Sequence, residues 1–133
     1  MKLRVLQEFD IGVIQPWYEA KGDFLDPDWI PKGTAFIVED DNKLELAVGF
    51  LLLTNSGICF MEFLATNPDA PEGVQAKALR FLTLELEALS KGLGFSVILG
   101  MVPEDHFSLA RHYIRQKAFM GKKLMRLFWK RLQ

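Results

Sequence analysis

Residues 58–80 read Ile58-Cys-Phe-Met-Glu-Phe-Leu-Ala-Thr66, then Asn67-Pro-Asp-Ala-Pro-Glu-Gly73, then Val74-Gln-Ala-Lys-Ala-Leu-Arg80. Apart from Glu62, the first piece is apolar on both faces, the pattern of a strand in the middle of a sheet covered on both sides. The second piece gathers turn formers into a loop. The third opens a helix over residues 74–91, in which Leu79, Leu82, Leu86 and Leu89 recur at helical spacing until Gly92 and Gly94 end it.

Working outward, residues 34–39 and 43–54 are two further strands, turning at Asp40-Asp41-Asn42 and at Asn55-Ser56-Gly57. The stretch Ala47-Val-Gly-Phe-Leu-Leu-Leu53 is again apolar on both faces. Residues 2–8 alternate well enough for a short first strand. Asp10 is placed to cap a helix over residues 11–21, with Pro16 kinking it or shortening its first turn and Gly22 ending it. Residues 23–33, with three carboxylates, Trp29 and two prolines, form a loop with room for one helical turn. Downstream, residues 95–102 are a strand apolar on both faces, 108–117 a helix and 122–131 a last strand. The order is β-α-β-β-β-α-β-α-β, an α/β fold with a mixed, mostly antiparallel sheet flanked by helices, in one domain over residues 1–133.

Composition narrows the function classes. Of 133 residues half are apolar and a quarter charged, enough for one core and too few for two domains. No run of 18 apolar residues exists, so no membrane partner is expected, and the N-terminus lacks the apolar stretch of a secretory signal. Cys59 is the only cysteine and sits in an apolar run. It argues against a disulfide or cysteine-metal framework and for a reducing compartment, the cytoplasm. His106 and His112 have no cluster with metal spacing around them, so no metal is expected.

Charge is uneven. All 17 carboxylates fall between Glu8 and Asp105, while the last 28 residues carry eight basic side chains: Arg111, Arg115, Lys117, Lys122, Lys123, Arg126, Lys130 and Arg131. Such a tail could bind nucleic acid or an acidic partner, or be one solvated face. On a final strand Lys123 would face away from Lys122, Arg126 and Lys130, so nucleic acid is not the expected partner.

The order of elements and several local stretches resemble the GNAT N-acetyltransferase superfamily. Ala47-Val-Gly-Phe50 is similar to the hydrophobic-Val-Gly-Phe of that family's third strand, and Glu62-Phe-Leu-Ala-Thr-Asn-Pro68 to the end of its fourth. Gln75-Ala-Lys-Ala-Leu-Arg80 resembles the Arg/Gln-x-x-Gly-x-Gly/Ala diphosphate signature, and residues 110–119 the closing Ala…Tyr…Gly-Phe segment. The signature's small positions fall on Ala78 and Arg80 if Gln75 leads, or on Ala76 and Ala78 if Gly73 leads. The Asn-Pro-Asp-Ala-Pro variant is similar to short GNAT-like proteins of bacteriophages, which would place the chain in a host cytoplasm.

The resemblance implies an N-acetyltransferase moving an acetyl group from acetyl-CoA, its cosubstrate, to a primary amine by direct attack. The amine would belong to a small molecule or a protein, and a homodimer is compatible with it. The alternative is a GNAT-shaped protein without catalysis that docks on a macromolecule. The backbone of Leu64, Ala65 and Thr66 would face the pantetheine arm. The amides of Gln75, Ala76, Lys77, Ala78 and Leu79 at a helix start would face the diphosphate, with charge from Lys77 and Arg80. Glu62 is the candidate base, because a carboxylate on an apolar central strand must be paired, hydrogen-bonded or open to a cleft, and burial raises its pKa. The competing reading is a buried ion pair to Arg4 or Arg80. Ile58, Phe60, Glu62 and Leu64 are expected on one strand face, with Cys59 opposite. Tyr113 leads as general acid, ahead of Ser108 and His106. The acceptor site falls to Trp17, Tyr18, Asp23, Asp26, Asp28 and Trp29, aromatics beside carboxylates that suit a cationic amine.

Overall fold

Among the described residues, five strands form one sheet in the order β1-β2-β3-β4-β5, in a computed structural model that describes residues 1–100. Strands β1 (Lys2–Val5), β2 (Ala35–Glu39), β3 (Glu45–Leu52) and β4 (Ile58–Thr66) are antiparallel neighbours, and β5 (Val97–Leu99) runs parallel to β4. Between β1 and β2 lie α1 (Ile11–Ala20) and single 3₁₀ turns at Glu8–Asp10 and Pro27–Trp29. Between β4 and β5 lies α2 (Glu72–Gly92). The expected helix 108–117 and strand 122–131, with Ser108, His106, His112, Tyr113 and the basic tail, lie outside the described residues. No helix among the described residues is long and apolar enough to cross a membrane.

Helix α1 buries Ile14, Trp17 and Tyr18 with Leu25 against Ala35, Ile37, Val48, Phe50 and Ala65 of the sheet. Fully burying a large apolar side chain contributes about 1.5–3 kcal/mol, so these few residues anchor the helix. Pro16 lies inside α1 without ending it, and Gly22, at φ +78°, supplies the left-handed residue just past its end.

Helix α2 covers the opposite face through Ala78, Leu82 and Leu86, all buried. Gly49 is what permits the close approach. A Cβ there would sit 2.6 Å from Leu64 Cδ2, 3.1 Å from Leu82 Cδ2 and 3.3 Å from Leu86 Cδ1. The glycine of the Val-Gly-Phe stretch therefore has a packing reason.

Asp10 is not the side-chain cap of α1 that its position suggests. Its fully buried carboxylate turns inward and accepts from Arg4 Nη1 and Nη2 at 2.7 and 2.8 Å and from the Gln7 amide at 2.7 Å. Arg4 Nε reaches Glu39 at 2.8 Å, Lys2 reaches the same carboxylate at 3.2 Å, and Glu45 lies 3.8 Å from Arg4. A buried carboxylate needs such partners more than a helix needs a cap.

Candidate functional site

The second half of β4 departs from a regular strand. Val48 pairs with Ala65 and Phe50 with Glu62, so Gly49 alone stands opposite two residues, Phe63 and Leu64. This is a β-bulge, and Phe63 takes φ +56° within it. A bulky residue in the left-handed region is strained by about 1–3 kcal/mol, a conformation that persists only where the surroundings enforce it.

The bulge also corrects one expected face. Leu64 does not share a side with Phe60 and Glu62: the extra residue turns it over Gly49 toward α2. Cys59 stays buried on the side opposite Glu62.

The enforcing groups come from the C-terminal end of α1. The Tyr18 hydroxyl donates to Phe63 O, and Lys21 Nζ donates to Leu64 O at 2.7 Å. Burial, and then the charge of Asp23, push the Tyr18 phenol well above its usual range, so it remains a hydroxyl donor. Burial lowers the Lys21 ammonium below its ordinary value, against the pull of Asp23 3.7 Å away. The ammonium also lies 5.8 Å from the Tyr18 ring centroid. Lys21 carries no signal of this in the sequence beyond its place three residues after Tyr18, where it reads as the last residue of a helix.

Pairing between β4 and β5 covers only Ile58, Cys59 and Phe60. From Met61 to Thr66 the outer edge of β4 has no strand partner among the described residues. That edge includes Leu64, Ala65 and Thr66, the residues expected to face a pantetheine arm.

Glu62 sits opposite Phe50 and is half-buried on the face that carries α1. Neither expected ion-pair partner is beside it. Arg4 is committed to Asp10, Glu39 and Glu45, and Arg80 stands exposed on α2, across the sheet. On the side of Glu62, Phe63 packs on Phe50 with ring centroids 5.3 Å apart and meets Trp29 at 6.2 Å. Trp29 in turn meets the exposed Phe24 edge-on at 5.9 Å. Of the expected acceptor residues, Trp29 is thus at this surface, while Trp17 and Tyr18 are core side chains. The Asp26 carboxylate accepts from the Asp28 amide at 2.9 Å and shapes the 3₁₀ turn, and Asp23 and Asp28 are exposed. Phe24 and Phe63 had no place in the sequence-based acceptor set.

Helix α2 begins at Glu72, two residues before the sequence places it, with Pro71 as its N-cap. This moves the candidate anion site. Pro71 O already accepts the amides of Val74 and Gln75, each at 2.9 Å, and the amides of Ala76 to Leu79 fall inside the helix. The open amides of the first turn are those of Glu72 and Gly73. The Gln75 side chain is a structural tie between the end of β4 and the helix start. It accepts from Thr66 Oγ1 at 2.9 Å and donates to Ala70 O at 2.7 Å. Ala78 is buried, whereas Ala76, Lys77 and Arg80 are exposed and Leu79 is half-buried. Among the described residues no group of three or more His, Cys, Asp or Glu could hold a metal ion.

No family model and no curated protein matches this sequence. Solved structures do match the fold. The Thermus thermophilus protein TTHA1254 superposes with TM-score 0.74 at 10% identity, over 100% of both chains. A Trypanosoma brucei acetyltransferase gives 0.67 at 15% identity, over 96% of this chain and 99% of its own. The aminoglycoside 6'-N-acetyltransferase AAC(6')-IG of Acinetobacter haemolyticus gives 0.63 at 13%, over 100% of both. The chain has the GNAT acyl-CoA N-acyltransferase fold.

Proposed function

We propose that this chain is an N-acetyltransferase that takes acetyl-CoA along the outer edge of β4 and passes the acetyl group to a primary amine. The observation that carries the reading is the bulge at Phe63 and Leu64. It breaks the β4 ladder at one place and holds a strained residue there. It also lies between a half-buried carboxylate and a strand edge with no strand partner among the described residues. The same edge leads through Thr66 and Gln75 to the open amides of Glu72 and Gly73, which suit an anionic diphosphate.

In this reading Glu62 takes the proton from the attacking amine. The amine nitrogen bonds to the thioester carbonyl carbon, the C–S bond breaks, and the leaving thiolate is protonated by Tyr113, which lies outside the described residues. A bulge amide stabilises the charge that develops on the carbonyl oxygen. The aromatic surface of Phe24, Trp29 and Phe63 receives the acceptor, with Asp23 and Asp28 favouring a cation.

The test is acetyl transfer to a panel of primary amines, followed by mass. With a competent acceptor, Glu62→Gln is expected to keep acetyl-CoA affinity and to lose about two to four orders of magnitude in turnover at neutral pH. A variant that turns over at the wild-type rate removes Glu62 from the reaction.

A further inference from the structure

We infer that Tyr18 and Lys21 are positioning residues that hold the two carbonyls of the β4 bulge and so aim the Leu64 amide toward an acyl carbonyl, an inference that rests on the acyl-CoA reading above. The geometry supplies the reason. A trans peptide is planar, with the C=O of one residue and the N–H of the next pointing in opposite directions. Fixing Phe63 O on the Tyr18 hydroxyl therefore fixes the Leu64 amide, and Lys21 Nζ on Leu64 O holds the other side of the same residue, while Ala65 is back in register with Val48 of β3.

Phe63 and Leu64 stand outside the β3–β4 register, so regular ladder pairing does not set the direction of the peptide between them. The side chains of α1 do. Tyr18 acts electronically as well. A donor on a carbonyl polarises the whole peptide and makes its N–H a stronger donor, and chains of hydrogen bonds reinforce one another in a low dielectric. The Lys21 ammonium, a charged donor, holds Leu64 O about twice as strongly as a neutral donor would. Tyr18 is itself buried in the α1 core cluster, so its hydroxyl has a fixed origin from which to aim.

The test separates recognition of the acyl group from recognition of the coenzyme. Affinities of acetyl-CoA and of CoA are measured by calorimetry for the wild-type chain, Tyr18→Phe, Lys21→Met and Lys21→Arg, with melting curves alongside. The inference expects the wild type to prefer acetyl-CoA. Tyr18→Phe and Lys21→Met should each cut that preference by roughly five- to tenfold, the worth of one hydrogen bond, and leave CoA affinity within about twofold. Lys21→Arg, which keeps a charged donor, should restore most of it. Lys21 is partly exposed, so its variants fold even if Tyr18→Phe does not. A preference retained in Tyr18→Phe and Lys21→Met overturns the clamp, and so does a wild type that binds CoA and acetyl-CoA equally. A wild type that binds neither sinks the acyl-CoA reading itself, and this inference with it.

Discussion

The two ends of α1 use the same kind of group for different ends. At its start, Asp10 is buried and met by Arg4, with Glu39 and Lys2 completing a network that ties β1 and β2 to the helix. Each of these charges finds an opposite charge, and although the β2–β3 register shifts at Val38 and Glu39, none of the residues that carry them takes a positive φ. At its finish, Tyr18 and Lys21 direct their donors to two main-chain carbonyls of a strained bulge. The first end holds the fold. The second holds a backbone shape that the fold alone would not choose, which is why the proposed acyl-CoA site is placed there.

If that contrast is right, damage at the two ends should have different signatures. Arg4→Met should have the largest effect on stability. It leaves the Asp10 carboxylate buried without its partner, a loss of about 3–5 kcal/mol in urea unfolding. The folded fraction should still bind acetyl-CoA with unchanged affinity. Equal losses of stability and affinity would erase the distinction between the ends.

Acid should act on the first end, and more weakly. Hydrogen bonding to Arg4, then the contacts with Lys2, hold the Glu39 carboxyl below its usual range. For Asp10, burial pushes the carboxyl up, but Arg4 and the Gln7 amide pull it further down. Folded values below unfolded ones mean that this contribution is complete above the ordinary carboxylate range and fades as pH falls through it. Unfolding free energy should therefore drop from about pH 5 downward, where unfolded carboxyls begin to take up protons. In Arg4→Met the drop should be shallower, and an identical slope would show that the network is not its source.

Much of the fold was legible in the sequence because burial on both faces writes continuous apolar runs, and both central strands, β3 and β4, carry them. The meander, the turn at Asp40 and the length of α2 follow from patterns that local chemistry dictates. The bulge was not legible. Neither Phe63 nor Leu64 is a residue that favours a left-handed backbone, and the conformation is imposed from α1, some forty residues earlier in the chain. Asp10 misled for a related reason, since its partner choice depends on where Arg4 lies in three dimensions. The start of α2 slipped because Pro71, Glu72 and Gly73 are turn formers as well as residues suited to a helix's first turn. Of the candidate site, Glu62 stood out by its charge alone on an apolar strand, while Lys21 looked like any lysine before a glycine.

The central claim is that the outer edge of β4 and the start of α2 receive an acyl-CoA. The most direct measurement is a melting curve of the chain, shown by mass to be free of bound CoA, with and without acetyl-CoA. A ligand seen only by the native state adds about 2.7 kcal/mol at a hundredfold excess over Kd, so the midpoint should rise by several degrees and climb with concentration. A midpoint unmoved by millimolar acetyl-CoA would contradict the account.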